Sequence, residues 1–596
     1  MRLLRALPLL TFAFAVALPL HAQPSMGHYG PTAQNYELPQ VKGTIYYVAP
    51  DGQAKADGRS LEKPSTLEAV IARVKTGDAI VLRGGTYRTG GLVLNQGITL
   101  QPYQNERPIL KGTQIATEWT KQDNGLWRTS WDRLFPEKAP DWWRRHRHGQ
   151  TIPPYLFNYD MVFVDGQPLK VVGWEGEVET GTYSIDYETG HVYIGVDPAQ
   201  HTIEITAHDS ALVRTMGEAH GKRSDKIGPK IHGLTFTQYA YRALEIEGSE
   251  GEGVTPEAEM GKDVVGTVLE NVTISHCSRV AGYFRGDDLV IRNCLITDTG
   301  FEGLYIISSA DALLEGNIVT RTNVEEFLGV FPTAIKIFNQ THRVIVRDNL
   351  IIDNPHSSGV WYDVGNREGQ FYNNWVEGTD NGFFFEISQG AICAGNVFID
   401  CGTGIYVLNS ADVEIYQNTL LDSSIKIERT SRSALNDHFG WHPATGPDVP
   451  ERDGHIVKNN LMVGTAAFGN PLVQVLQEAS LCGQLTAPQL QTLAHNAYVQ
   501  QGHTQPLVRL SPAEGDECTL DLPTLDRLQA RSLGQGSAAY VDYFGPLFQS
   551  ARLHRLAPLA EFPGLNVADP LPEQVAAWLP WTQDHAGVPG AFAPVE

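Results

Sequence analysis

The chain has 596 residues and an apolar content of 42%, enough for one large solenoid or a few domains. Its 45 basic and 68 acidic residues give a formal net charge of −23, which repels nucleic acid and offers nothing to an anionic membrane. An acidic polysaccharide is disfavoured only mildly, since a local basic cleft can still hold one.

Residues 1–22 read as a secretory signal: Arg2 and Arg5 precede an apolar run from Ala6 to Leu20, and Ala22 closes it. The run is short for a membrane span and contains Pro8 and Pro19, and no later stretch reaches spanning length. The mature protein is expected to begin near Gln23, in the periplasm or outside the cell, with no membrane partner. Residues 23–42 look like an unstructured leader. Residues 43–112 form the N-terminal part of a solenoid, with short strands such as AIVLRGGTYR and a capping helix over residues 66–75.

Residues 113–226 break the pattern. Trp119, Trp127 and Trp131 come first, then a basic run from Trp142 to His148, WWRRHRH, suited to a solvated loop or an anionic sugar. Hairpin signals at Asp165-Gly166 and Thr189-Gly190 make this region a small antiparallel insert. Residues 227–477 carry the main repeat. Asn recurs before an apolar pair at 271, 293, 317, 349, 374, 396, 418 and 460, with steps of 22, 24, 32, 25, 22, 22 and 42 residues. Steps near 22 suit one coil of a right-handed parallel β-helix, an all-β fold of the pectin-lyase-like kind. The stacked Asn amides are expected to bond from coil to coil. The two long steps are insertions, residues 321–332 and roughly 429–455, of the sort that gather on a binding face. Residues 478–596 lose the repeat and read as a tail that packs on the helix or caps it.

Cys277, Cys294, Cys393 and Cys401 fall inside the repeats as small core residues, whereas Cys482 and Cys518 lie beyond them and are candidates for a disulfide. No CxxC or HExxH spacing occurs, so neither a metal nor a cofactor is expected.

One strand of each coil aligns on an opening small residue: GLYII (303–307), AIKIF (334–338), GVWYD (359–363), GFFFE (382–386), GIYVL (404–408) and SIKIE (424–428). The second and fourth positions are apolar throughout and point to the core; the third and fifth point outward. The outward third column reads Tyr305, Lys336, Trp361, Phe384, Tyr406, Lys426, and the fifth reads Ile307, Phe338, Asp363, Glu386, Leu408, Glu428. Exposed aromatics on a rigid sheet suit stacking against sugar rings, and the substrate is expected to be a poly- or oligosaccharide. Asp363 and Glu386, one coil apart, are expected roughly 5 Å from each other, the separation of a retaining glycosidase pair. The Glu386–Glu428 pair, two coils apart, approaches an inverting spacing. Lys336 supplies a cation to Asp363, while Phe384, Leu408 and the charge of Asp363 should raise the carboxyl of Glu386. That divides the roles into Asp363 as nucleophile and Glu386 as proton donor. Tyr305 extends the platform; His356, His438, Trp441, His442, Glu302, Glu325 and Glu326 are further wall candidates.

The opening YYVAPDG…GDAIVLRGGTY resembles the first coil of secreted right-handed β-helix enzymes acting on polysaccharides, and GVWYD…GFFFE resembles the β-helical glycoside hydrolases, most closely the family 120 β-xylosidases. The resemblance covers roughly residues 43–112 and 230–477. It implies Asp363 as nucleophile and Glu386 as acid/base. Two other readings stay open. One is a polysaccharide lyase of similar fold with Lys336 as base, although the six aligned segments carry no outward Arg to neutralise a uronate. The other is a carbohydrate-binding solenoid without catalysis.

Overall fold

The computed structural model describes residues 28–138, 146–147, 150–249, 255–327, 331–435, 437–439, 442–443, 446–502, 505–513, 517–531, 538–542, 544–550, 555–559 and 566–594. The segment read as a secretory signal and most of WWRRHRH lie outside the described residues.

Three sheets of 13 strands each run the length of the molecule, and successive strands of the chain visit them in turn. One coil shows the pattern: Val268–Glu270 joins sheet one, Thr273–Cys277 sheet two and Val280–Arg285 sheet three. Inward residues such as Leu269, Ile274, Phe284, Ile335 and Phe383 form a continuous core between the sheets. The parallel ladder stacks each residue over its equivalent one coil on, so the side-chain columns read from the sequence become physical columns.

An Asn ladder fills the corner between sheets one and two. Each Nδ2 donates to the Oδ1 of the next coil's Asn at 2.9–3.0 Å, through Asn317, Asn349, Asn374, Asn396, Asn418, Asn460 and Asn496. Asn271 and Asn293 are not rungs of it. They occupy the preceding turn position, at φ 53° and 51°, and Cys294 stands at the ladder site, where its amide donates to Asn317 Oδ1 at 2.9 Å. Asn tolerates the left-handed conformation that this turn requires, so the residue type recurs for a second reason.

The ends are covered by short helices. Leu67–Ile71, shorter than the expected span, starts at Thr66, whose hydroxyl accepts from Ala69 N at 3.3 Å, and buries Leu67, Val70 and Ile71 over the first coil. The coils continue past Gln477. Leu490–Ala494, Ala497–Gln500, Val508–Leu510 and Ala539–Asp542 extend the three sheets, and Leu528 of the helix Leu525–Gln529 closes the core. The repeat was hidden there by irregular spacing. The final described segment lies along the outside, where Trp578 stacks on Tyr372 at 4.4 Å and Phe592 packs near Trp375. Cys482 and Cys518 form a disulfide with Cα atoms 5.5 Å apart, and the four repeat cysteines are buried and free.

Residues 28–44 are not a loose leader. Gly30 N donates to Gly316 O at 2.7 Å, Thr32 N to Asn271 Oδ1 at 3.3 Å and Tyr36 N to Gln104 O at 3.0 Å, so the segment straps several coils together. The Tyr36 ring fills the space that a Cβ on Gly233, at φ 63°, would occupy.

The insert folds into a four-stranded and a five-stranded sheet around Val162, Tyr183, Val192, Ile194 and Ile205. Asp165 and Gly166, at φ 51° and 81°, make the expected two-residue turn. The chain rejoins sheet three at Ser210–Arg214, earlier than residue 226. Arg279 ties the insert to the helix: it pairs with Glu325 at 2.8 Å and donates to the carbonyls of Leu156 and, at 3.0 Å, Asn158. The insert thereby stands beside the outward face of sheet three, with Tyr159 stacked on Tyr241 at 4.9 Å.

Candidate active site

The ladder of sheet three pairs Lys336 with Trp361, Trp361 with Phe384 and Phe384 with Tyr406, and in the next outward column Phe338 with Asp363, Asp363 with Glu386 and Glu386 with Leu408. The register expected from the apolar alternation is therefore the one observed, and the two carboxylates are nearest neighbours across adjacent coils. Glu428 lies two coils from Glu386 in the same column.

The aromatic column differs from expectation in one physical respect. Trp361 and Phe384 point away from the core, yet they are only 5% and 6% exposed. Their faces are spent on one another. Trp361 and Phe384 stack with centroids 4.6 Å apart, and Phe384 and Tyr406 do the same. The Lys336 ammonium sits 2.9 Å from the Trp361 ring centroid at one end of the stack, and Lys426 lies 4.5 Å from the Tyr406 ring at the other. The three rings are thus a lysine-capped stack rather than an open platform, and they present edges outward. Phe331, from the insertion at residues 321–332, roofs it in edge contact with Trp361 at 5.5 Å. Trp361 Nε1 is buried and has no hydrogen-bond acceptor among the described residues.

Both end lysines also serve carboxylates. Lys336 Nζ donates to Asp363 Oδ2 at 2.7 Å, with both side chains buried. Lys426 pairs with Glu428 at 2.7 Å, and the Tyr406 hydroxyl donates to the same Glu428 oxygen at 2.5 Å. Asp363 and Glu386 are 4% and 5% exposed. Burial first, and then the charge of Asp363, push the Glu386 carboxyl up to about 7 against the opposing pull of Arg432 and Lys336. Arg432, on the second insertion, ion-pairs with Glu386 Oε1.

Sequence reasoning did not single out Arg432. It sits in a segment without periodicity, and only its charge marks it. Nor did it weigh Glu302 fully: the residue is buried on the same sheet face, accepts from the Tyr305 hydroxyl at 3.1 Å, and is pushed up to about 8 by burial. The face also extends further toward the N-terminus than the six aligned segments. Tyr305 is followed by Tyr283 at 5.1 Å and Tyr241 at 6.1 Å from Tyr283, flanked by Arg242 and Arg285 around Glu245. Outward arginines therefore exist, three and two coils before Lys336. His356 is exposed in the turn before Ser358–Asp363, at the opposite end of that strand from Asp363, so it does not join the pair. Glu325 is engaged by Arg279. Strand His438–Phe439 pairs with His442–Pro443 in the second insertion, and Trp441 lies outside the described residues.

A family profile described as a right handed beta helix region matches residues 260–420. The solved structure of XylC in complex with xylose is 14% identical, aligns over 76% of this chain and 84% of its own, and superposes with a TM-score of 0.55. The fold is a right-handed parallel β-helix. A structure titled glycoside hydrolase (11% identity, 88% and 100% coverage, TM-score 0.41) and pectate lyase Pel9A (12%, 96% and 100%, 0.39) are also similar. No curated protein matches the chain by sequence.

Proposed function

We propose that the protein is a glycoside hydrolase that retains anomeric configuration, with Asp363 as nucleophile and Glu386 as acid/base. The observation that carries this reading is the in-register pair on adjacent coils, one member ion-paired to Lys336 and the other pushed up to about 7. Adjacent parallel strands are about 4.8 Å apart, which supports a carboxyl separation near the roughly 5–5.5 Å of retaining enzymes. Asp363 attacks the anomeric carbon as Glu386 gives its proton to the departing glycosidic oxygen. The resulting glycosyl ester is then hydrolysed by a water whose proton returns to Glu386. The pair is closed in this state, so substrate entry requires Phe331, which roofs the neighbouring aromatic stack, to move aside.

A lyase would need Lys336 as its base. That ammonium is engaged by Asp363 and by the ring of Trp361, which favours the hydrolase. The disulfide between Cys482 and Cys518 supports an oxidising, exported setting. XylC was solved with xylose, so an aryl β-xyloside is the first substrate to try within a panel of aryl glycosides and glycans. Proton NMR of the first-formed product tests the mechanism, with Asp363→Asn as the blank. Retention is expected. Inversion would move the assignment to Glu386 and Glu428, and an unsaturated product would move it to a lyase.

A further inference from the structure

We propose that Arg432 is a positioning residue that governs the proton on Glu386, and that the insertion between Arg429 and His455 is the scaffold that holds it there. This rests on the acid/base reading above. Lys336 and Lys426 project from coil strands, whereas Arg432 arrives from outside the repeat. Its backbone is fixed by Arg452, whose side chain is fully buried. Arg452 donates to the carbonyls of Thr430 at 2.7 Å, Arg432 at 2.8 Å and Pro447 at 3.2 Å, and also to that of Ser433. A buried guanidinium spent wholly on carbonyls around one neighbouring residue is a costly device for shaping an idle loop. Asn409 adds a second anchor, its Oδ1 accepting from Thr430 N at 2.8 Å. The returning leg passes directly over the residue after Glu386: a Cβ on Gly446 would lie 2.5 Å from the Ile387 carbonyl oxygen.

Among the described residues, the charged and titratable groups around Glu386 are few. Asp363 and, behind it, Lys336 face it from the preceding coils. Tyr406, Lys426 and Glu428 face it from the following ones, and Arg432 from the insertion. His438 and His442 share that insertion, with side chains outside the described residues. Burial and Asp363 favour the protonated acid. Arg432 opposes them and stabilises the carboxylate left behind when the proton passes to the leaving oxygen, keeping its own charge throughout. The insertion therefore keeps the acid able both to hold a proton and to release it.

The test needs no substrate. The protonated-carboxyl infrared band of Glu386, isolated as wild type minus Glu386→Gln, is titrated with pH. It should shift upward by about 1–3 pH units in Arg432→Gln, the range for loss of an adjacent opposite charge. Arg432→Lys should restore most of the shift. Arg452→Gln should move the band in the same direction while circular dichroism shows an intact β-helix. A Glu386 band that titrates but does not move in Arg432→Gln overturns the positioning role and leaves the acid assignment standing. The absence of any titrating Glu386 band overturns the acid assignment and this proposal together.

Discussion

At the scale of single residues, the outward columns of sheet three were legible because alternation with period two and a repeat near 22 residues fix a register without any tertiary knowledge. What the columns could not reveal was their cover. Trp361 was expected to face solvent as part of an exposed aromatic column. It is instead sandwiched between Phe384 and Lys336 beneath Phe331. Trp361→Ala should now cost about 3 kcal/mol, as for a large buried aromatic, and lower the melting temperature even though the register is right. Trp361→Phe, which keeps a ring for Lys336, should recover most of the loss; equal melting of both variants would reject the stack as a source of stability. Glu386 carries its own pH signature. In the proposed mechanism Glu386 must be protonated, so kcat/KM should be full in mild acid and decline as pH rises through about 7. Its folded-state pKa lies above the unfolded value, so its stabilising contribution is complete below about 4.5 and is lost as pH rises through about 7. Glu386→Gln should consequently gain stability over the parent at pH 9 relative to pH 5 in thermal melts. A variant that gains nothing between those pH values would show that the carboxyl is not raised.

At the scale of elements, the repeats and the places of the insertions announced themselves, and the contacts that the insertions make did not. Steps of 32 and 42 residues between Asn positions flagged extra chain, but nothing in SRSALNDHFGWHP specifies that Arg432 meets Glu386 or that Arg452 clasps the loop. Those contacts depend on one loop conformation, and loops lack the periodicity that makes strands readable. The ladder shows the converse error. Asn271 and Asn293 fit the spacing yet serve the left-handed turn, while Asn496 extends the ladder beyond the apparent end of the repeat. Removing residues 434–450 should leave the far-ultraviolet circular dichroism of the β-helix unchanged, since the strands on either side, Ile425–Arg429 and His455–Lys458, belong to different sheets already paired to neighbours. Activity on the natural glycan should fall at least tenfold or lose selectivity, about 1.4 kcal/mol of transition-state binding. Unchanged kinetics would show that this insertion plays no part in the reaction.

At the scale of the whole molecule, a solenoid is as stable as its least protected end, because each coil leans only on its neighbours. The N-terminal end has a helix and a strap. The C-terminal end has the helix Leu525–Gln529 and the Cys482–Cys518 bridge, which spans 36 residues. A cross-link of that span stabilises by about 3–4 kcal/mol. Reduced and alkylated protein should show an earlier melting step confined to the last coils, seen as faster proteolysis after residue 477, while the sheet around Asp363 melts as before. A single unshifted transition would mean that the bridge contributes little. The strap at residues 28–44 has a consequence in time. Thr32 is held by Asn271, 239 residues later in the chain, and Gly30 by Gly316. During synthesis these residues have nowhere to go until the middle of the protein has emerged and coiled. Pulsed hydrogen exchange during refolding should therefore protect Gly30 and Thr32 after the sheet strands, and early protection would contradict it. The strap is made well before the coils that hold it and must wait for them.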